Sequence, residues 1–239
     1  MQDFRSVLRS PECTYRGFSL SKLGSPTFRH LRCLFFWPVF MLLFTFVERF
    51  YPVDSYHVVH CALDDVIPVC EWFVIPYVSW FAVVFFAIVY TMFYDIAAFK
   101  RLMRFIILTY SVSILIYLVF PTCQNLRPSS FAEDNGMTRF LIRFYRFDTN
   151  TNVCPSIHVL GAIAALFGLY RARGLDTPVL HAVGITVCVA ICLSTVFLKQ
   201  HSVIDVAAAL VLAAIAAVFC RKAEQNGSDL PPKDAVLQP

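Results

Sequence analysis

Residues 102–120 read LMRFIILTYSVSILIYLVF and stop at Pro121. One arginine interrupts an otherwise apolar run. A helix needs roughly 18 or more such residues to cross the hydrocarbon core of a bilayer. Runs of the same kind recur on both sides, and they predict further spans at 30–50, 67–94, 155–170, 178–198 and 201–220. The second is too long for one straight crossing, and Pro68 and Pro76 are expected to break off an interfacial first part. The fourth is short, with Pro155 placed to open its first turn. The expected fold is therefore all-α: a polytopic membrane protein, a six-transmembrane-helix bundle with an extra interfacial helix before helix two. The domain reading is a basic segment at 1–28, a six-helix membrane domain at 29–222, and a disordered tail at 223–239.

Composition agrees. The 239 residues are 58% hydrophobic and 15% charged, with mean hydropathy +0.65, which excludes an ordinary soluble domain. The net charge of +4 is modest, so its distribution matters more than its sum. No short apolar core with a cleavage site precedes residue 28, so the first span is expected to serve as an uncleaved insertion signal. The nine cysteines are scattered, without CxxC or zinc-like spacing, and most read as small buried hydrophobes. Cys123 and Cys154 flank one long loop, where a disulfide is possible.

Most of the 20 Lys and Arg fall on one side if the N-terminus is inside. By the positive-inside rule both termini are then cytoplasmic. The outer segments hold Arg49, Arg127, Arg139, Arg143, Arg146 and Lys199. Four of these crowd the third loop. Basic residues kept against the topological bias are candidates for binding an anion.

Three polar islands stand at the ends of the apolar runs: Arg127-Pro128, Pro155-Ser156-Ile157-His158, and Lys199-Gln200-His201 with Asp205. In a six-span arrangement all three reach the outer face. Ionisable groups at a membrane edge are costly unless paired or used. His201 and Asp205 are four apart, one turn on a helix face, so the carboxylate can hold Nδ1–H and leave Nε2 free. The bland alternative is a hydrogen bond that anchors a helix end. Ser156 opens a helix, where unpaired N–H groups suit phosphate, and His158 one turn in can give up a proton. The alternative there is a Pro/Ser helix start beside an incidental histidine. Arg127 offers a fork for phosphate oxygens and Lys199 a point charge, unless either snorkels to headgroups. Trp72, Tyr77 and Trp80 read as an interfacial belt. Asp64, Asp65 and Glu71 are candidates for an alcohol or a cation. His57, His60 and His181 have no partner nameable from sequence. The basic N-terminal segment is expected to meet anionic lipids.

In this order the islands resemble the type 2 phosphatidic acid phosphatase (PAP2) superfamily. Its pattern is Arg-Pro, then Pro-Ser-x-His, then Ser…His-x-x-x-Asp, here Ser194 to Asp205. The resemblance covers roughly residues 64–219. It implies that His201 is a nucleophile forming a phosphohistidine, Asp205 its orienter and His158 the general acid. It implies phosphate binding by Arg127, Ser156 and Lys199, with a lipid phosphate as substrate amid membrane lipids. Neither a metal, a cofactor nor nucleic acid is implied. Oligomeric state is unreadable. The chain departs from the pattern at Phe120 and Thr195, where the family carries Lys and Arg, and at Ile157 in place of Gly. Phe120-Pro121-Thr122 with Lys199-Gln200-His201 is similar to the branch of inositol phosphorylceramide and sphingomyelin synthases. The expected activity is thus a lipid phosphatase facing the outer side of the cell membrane, or alternatively a lipid phosphotransferase. A third reading takes His158, His201 and Asp205 as a proton or ion relay without catalysis.

Overall fold

Caps set most helix boundaries in the computed structural model, which describes residues 10–131 and 133–225. A 3-10 stretch, Arg29–Phe35, runs into α1 (Phe36–Arg49). After β1 (His57–Val58) and the short α2 (Ala62–Val66), a 3-10 turn at Glu71–Phe73 leads into α3 (Val74–Tyr94). Asp95 then caps α4 (Ile96–Val119) by accepting from the Ala98 amide. Beyond β2 (Thr122–Cys123) come α5 (Gly136–Phe147), capped by Asn135, and α6 (Ile157–Leu169), capped by Ser156. Thr177 caps α7 (Pro178–Phe197), and α8 (Val203–Gln225) closes the bundle. The two strands pair in parallel, His57 with Thr122 and Val58 with Cys123.

The architecture is all-helical, as expected, but the boundaries move. Among the described residues five helices are long and apolar enough to cross a membrane: Arg29–Arg49, Glu71–Tyr94, Ile96–Val119, Pro178–Phe197 and Val203–Gln225. The expected fourth span is the shorter α6, whose 13 residues rise about 20 Å against a core of roughly 30 Å. Pro155 does not open it; Ser156 is the cap and Pro155 precedes it. Pro76 does not break α3. It lies in the first turn, where no amide has an intrahelical partner to lose. The basic residues Lys100, Arg101 and Arg104 lie within α4, which starts six residues before its expected limit at 102. The third loop contains α5, a helix the sequence reading left out. Of the expected disordered tail, 223–225 continue α8 and the remainder lies outside the described residues. So do residues 1–9 of the basic segment.

α6 is the axis of the bundle, packed between α3, α4, α7 and α8. Small residues let it sit there. A Cβ at Gly161 would stand 2.6 Å from both Trp80 Nε1 and Tyr110 Oη, and one at Gly168 2.8 Å from the Leu102 Cβ. α8 likewise turns Ala209, Ala213, Ala216 and Cys220 inward while Leu210, Val211, Ile215, Val218 and Phe219 face outward. Small residues inside and large apolar ones outside are what a lipid environment favours. Arg101 closes the far end of α6, donating to the carbonyls of Phe167, Gly168 and Tyr170 that the helix leaves unpaired. At that same end the N-terminal segment is tied down by Glu12, which accepts from the Ile96 amide, and Tyr15, which donates to the Met92 carbonyl.

Candidate active site

The opposite end of the bundle gathers most of the polar islands. Ser156 caps α6 and is fully buried, its Oγ accepting from the Val159 amide at 3.4 Å. That places His158 in the first turn, its ring 4.3 Å from Tyr77 and 4.8 Å from Trp80. On the other side stands His201, with ring centroids 6.0 Å apart. The turn from α7 to α8 carries His201, and α8 starts only at Val203. His201 and Asp205 therefore do not share a helix face, as the four-residue spacing had suggested. They meet because Asp205 reaches back over the helix start: Oδ2 accepts from the Ser202 amide at 2.9 Å and lies 3.3 Å from His201 Nδ1. One carboxylate both caps α8 and orients the imidazole. With Nδ1–H directed at Asp205, the Nε2 lone pair of His201 is left free.

His158 is oriented by a second carboxylate. Its Nδ1 is 3.3 Å from the Tyr77 hydroxyl, which donates to Asp148 Oδ2 at 2.8 Å. Since that hydroxyl proton is spent on Asp148, the tyrosine oxygen is an acceptor for His158 Nδ1–H. His158 Nε2 is buried without a hydrogen-bond partner among the described residues. Asp148 also accepts from Gln200 Nε2 at 3.0 Å. Burial raises the Asp148 pKa from its ordinary value, opposed by the Tyr77 hydrogen bond and by the charges of His201 and Arg127. Tyr77 and Trp80 are thus not a surface belt; both are buried around His158, while Trp72 is exposed.

Arg127 and Lys199 are held differently from the histidines. Arg127 donates to the carbonyls of Tyr145, Asp148 and Thr149 and to Gln200 Oε1, with its guanidinium 4.7 Å from the Tyr145 ring. Burial lowers its pKa, against the raising influence of Asp148 and Tyr145. Its Nε alone is buried and unpaired. Lys199 is buried, has positive φ, and donates to the carbonyls of Asp64 and Ile67. The structure brings Ser156, His158, His201 and Asp205 together, with Arg127 one residue removed through Gln200 and Lys199 turned toward 64–67.

Asp64 completes the floor. Its carboxylate accepts from Ser202 Oγ at 2.6 Å and from the amides of Val203 and Cys61 at 2.9 and 2.8 Å. Burial alone would raise its pKa; these donors outweigh burial and hold it below the usual carboxylate range. Its stabilising effect is present above that range and is lost as pH falls through the lowered pKa. Asp64→Asn is expected to cost about 1–3 kcal/mol, read as a lower melting temperature in detergent at neutral pH. An unchanged melting temperature would mean that Lys199 alone holds this turn.

Other sequence expectations resolve here. Asp65 pairs with His60 at 2.9 Å, and Glu71 accepts from Asn135 at 2.8 Å, so neither acid is directed at the histidines. His57 stacks on Phe120 at 4.1 Å, and His181 lies 3.3 Å from Asp176. Cys123 and Cys154 are both free thiols. Burial, with the Asp205 carboxylate nearby, pushes Cys154 up to about 12. Tyr77, Asp148 and Gln200 were missed as site residues. Gln200 sits beside His201 in the chain, and Asp148 is an acid just after three loop arginines; neither has a motif to mark it.

A bundle of apolar helices of membrane-spanning length thus holds, at one end, two facing histidines, each linked to a carboxylate. A family model described as the PAP2 superfamily matches residues 105–228, just over half of the chain, and the chain belongs to that family. The match contains Arg127, Ser156, His158, Lys199, His201 and Asp205 and leaves Asp64 and Tyr77 outside it. No curated protein and no solved structure matches the chain. Membership and the apolar helices fit a membrane phosphatase or phosphotransferase.

Proposed function

We propose that this protein is an integral-membrane lipid phosphatase, releasing phosphate from a lipid phosphomonoester or pyrophosphate through a phosphohistidine. The observation that carries the reading is the facing of His158 and His201 at 6.0 Å, each with Nδ1 engaged and Nε2 without a hydrogen-bond partner among the described residues. In the first half-reaction His201 Nε2 attacks phosphorus and the bond from phosphorus to the lipid oxygen breaks. His158 Nε2–H supplies the proton to that leaving oxygen. In the second half His158 takes a proton from water, and the hydroxide formed breaks the N–P bond. The Tyr77–Asp148 chain balances the charge on His158 when it is protonated. Arg127 Nε and the Ser156 hydroxyl are the donors proposed for the phosphoryl oxygens. Lys199 joins them only if it leaves the carbonyls of Asp64 and Ile67.

The same reading takes α6 as a sixth, shortened span, with both termini cytoplasmic and the site on the extracytoplasmic side of the cell membrane. The 29–222 region then acts as one membrane domain. A lipid alcohol in place of water would make the same intermediate a transferase, as in the synthase branch. The test is turnover of a panel of lipid phosphates by purified protein in chelator, with phosphate release and headgroup exchange measured together. Release is expected. Exchange without release would replace the phosphatase by the transferase, and no turnover of either kind would return the site to the relay reading.

A further inference from the structure

Three of the four arginines of the third loop take no part in the site. Arg139, Arg143 and Arg146 lie on α5 at intervals of four and three residues, which puts them on one stripe. All three are exposed. Arg139 makes one exposed ion pair with Asp134 at 3.4 Å, while Arg143 and Arg146 have no hydrogen-bond or ion-pair partner among the described residues. Beside the stripe stand Phe140, 46% exposed, and Phe147, 74% exposed. The remaining face is fully used: Leu141, Phe144 and Tyr145 pack on Val74, Tyr77 and Leu198.

The two ends of α5 fix its direction. At its start, Asn135 donates to Glu71 at 2.8 Å, where the Glu71–Tyr94 span begins. At its end, the Phe147 carbonyl accepts from Arg49 at 3.3 Å, where the Arg29–Arg49 span stops. A helix of 12 residues, about 18 Å long, is thus strung between the ends of two spans at the same end of the bundle. With those two spans crossing a membrane, it would lie along the surface and not across it.

We propose that α5 is a docking surface for anionic phospholipid headgroups. Arg139, Arg143 and Arg146 meet the headgroup phosphates, and Phe140 and Phe147 sit among the first carbons of the acyl chains. Exposed guanidiniums, two of them without a partner among the described residues, and neighbouring exposed aromatics match the two layers of a membrane interface, one anionic and one apolar. The helix also roofs the site, because its Phe144 packs edge-on against Tyr77 and its Tyr145 lies over Arg127. Anionic lipid gathered there is held next to the two histidines. The inference rests on membrane embedding and not on the proposed reaction.

The test uses the full chain in phosphatidylcholine vesicles, with Phe147→Trp as reporter and the wild-type tryptophan signal subtracted. Brominated-chain phosphatidylglycerol, added as a minor component, is expected to quench the reporter more than brominated-chain phosphatidylcholine at the same fraction. Adding Arg143→Gln and Arg146→Gln should weaken that preference about fivefold for each arginine removed, whereas Lys at both positions should keep most of it. The proposal is overturned by equal quenching from the two lipids, by no quenching from either, or by a preference that survives the Gln pair. Millimolar inorganic phosphate that erases the preference would show a site for free anion and overturn it as well. None of these readouts requires turnover, so failure of the catalytic reading leaves the test intact.

Discussion

His201→Ala is expected to abolish turnover, by at least about a thousandfold, because loss of a nucleophile removes the covalent route and leaves only binding and transition-state contacts. The residue is 6% exposed, and among the described residues its side chain has one hydrogen-bond partner, Asp205. The fold should survive, since the Asp205 carboxylate still accepts from the Ser202 amide. Two measurements separate a missing nucleophile from a damaged protein. Wild type incubated with labelled lipid phosphate should trap an acid-labile, base-stable label, and the variant should trap none at an unchanged melting temperature. A folded variant with wild-type turnover would remove His201 from the mechanism.

His158→Ala should slow hydrolysis of an alkyl phosphate by about 10²–10⁴-fold, the usual contribution of a positioned general acid. The loss should depend on the leaving group. A p-nitrophenyl ester leaves without needing a proton, so the variant should still release one equivalent of p-nitrophenol in a burst. It should then stall as the phosphohistidine, because the same imidazole activates water in the second half. Tyr77→Phe should show the same dependence more weakly, since it removes the hydroxyl linking His158 to Asp148 and leaves the imidazole in place. Equal losses for both classes of ester would mean that His158 shapes the site without moving the proton.

These expectations differ in how far the sequence supports them. His158, His201 and Asp205 were legible because a short local pattern marks each, and apolar runs bounded by prolines and basic residues ordered them along the chain. The pairing of His201 with Asp205 was read correctly for the wrong reason. Spacing on a helix face suggested it, whereas Asp205 makes it by folding back over the cap of α8. Arg127 and Lys199 illustrate the limit of reading charge as purpose. A buried guanidinium or ammonium must satisfy its donors, and here the nearest acceptors include backbone carbonyls at and just beyond the C-terminal ends of α5 and α2. The amphipathic α5 escaped notice because its arginines and aromatics alternate over only three turns inside a stretch rich in loop residues.

What the sequence determined by itself is the set of membrane-length apolar runs, the all-helical architecture and the placing of two histidines at the ends of those runs. These follow from local quantities: the length of an apolar run, the proline that ends it, and a few residues at short spacing. Only the tertiary structure decided that the short α6 is the central helix, that Tyr77 and Asp148 back His158, and that Asp64 holds the turn before α8. Each of those depends on atoms brought together across 71 to 138 residues of chain, as in the bonds from Tyr77 to Asp148 and from Ser202 to Asp64. A buried polar group takes whichever partner the packing of helices puts within 3 Å, and nothing in its own neighbourhood along the chain names that partner.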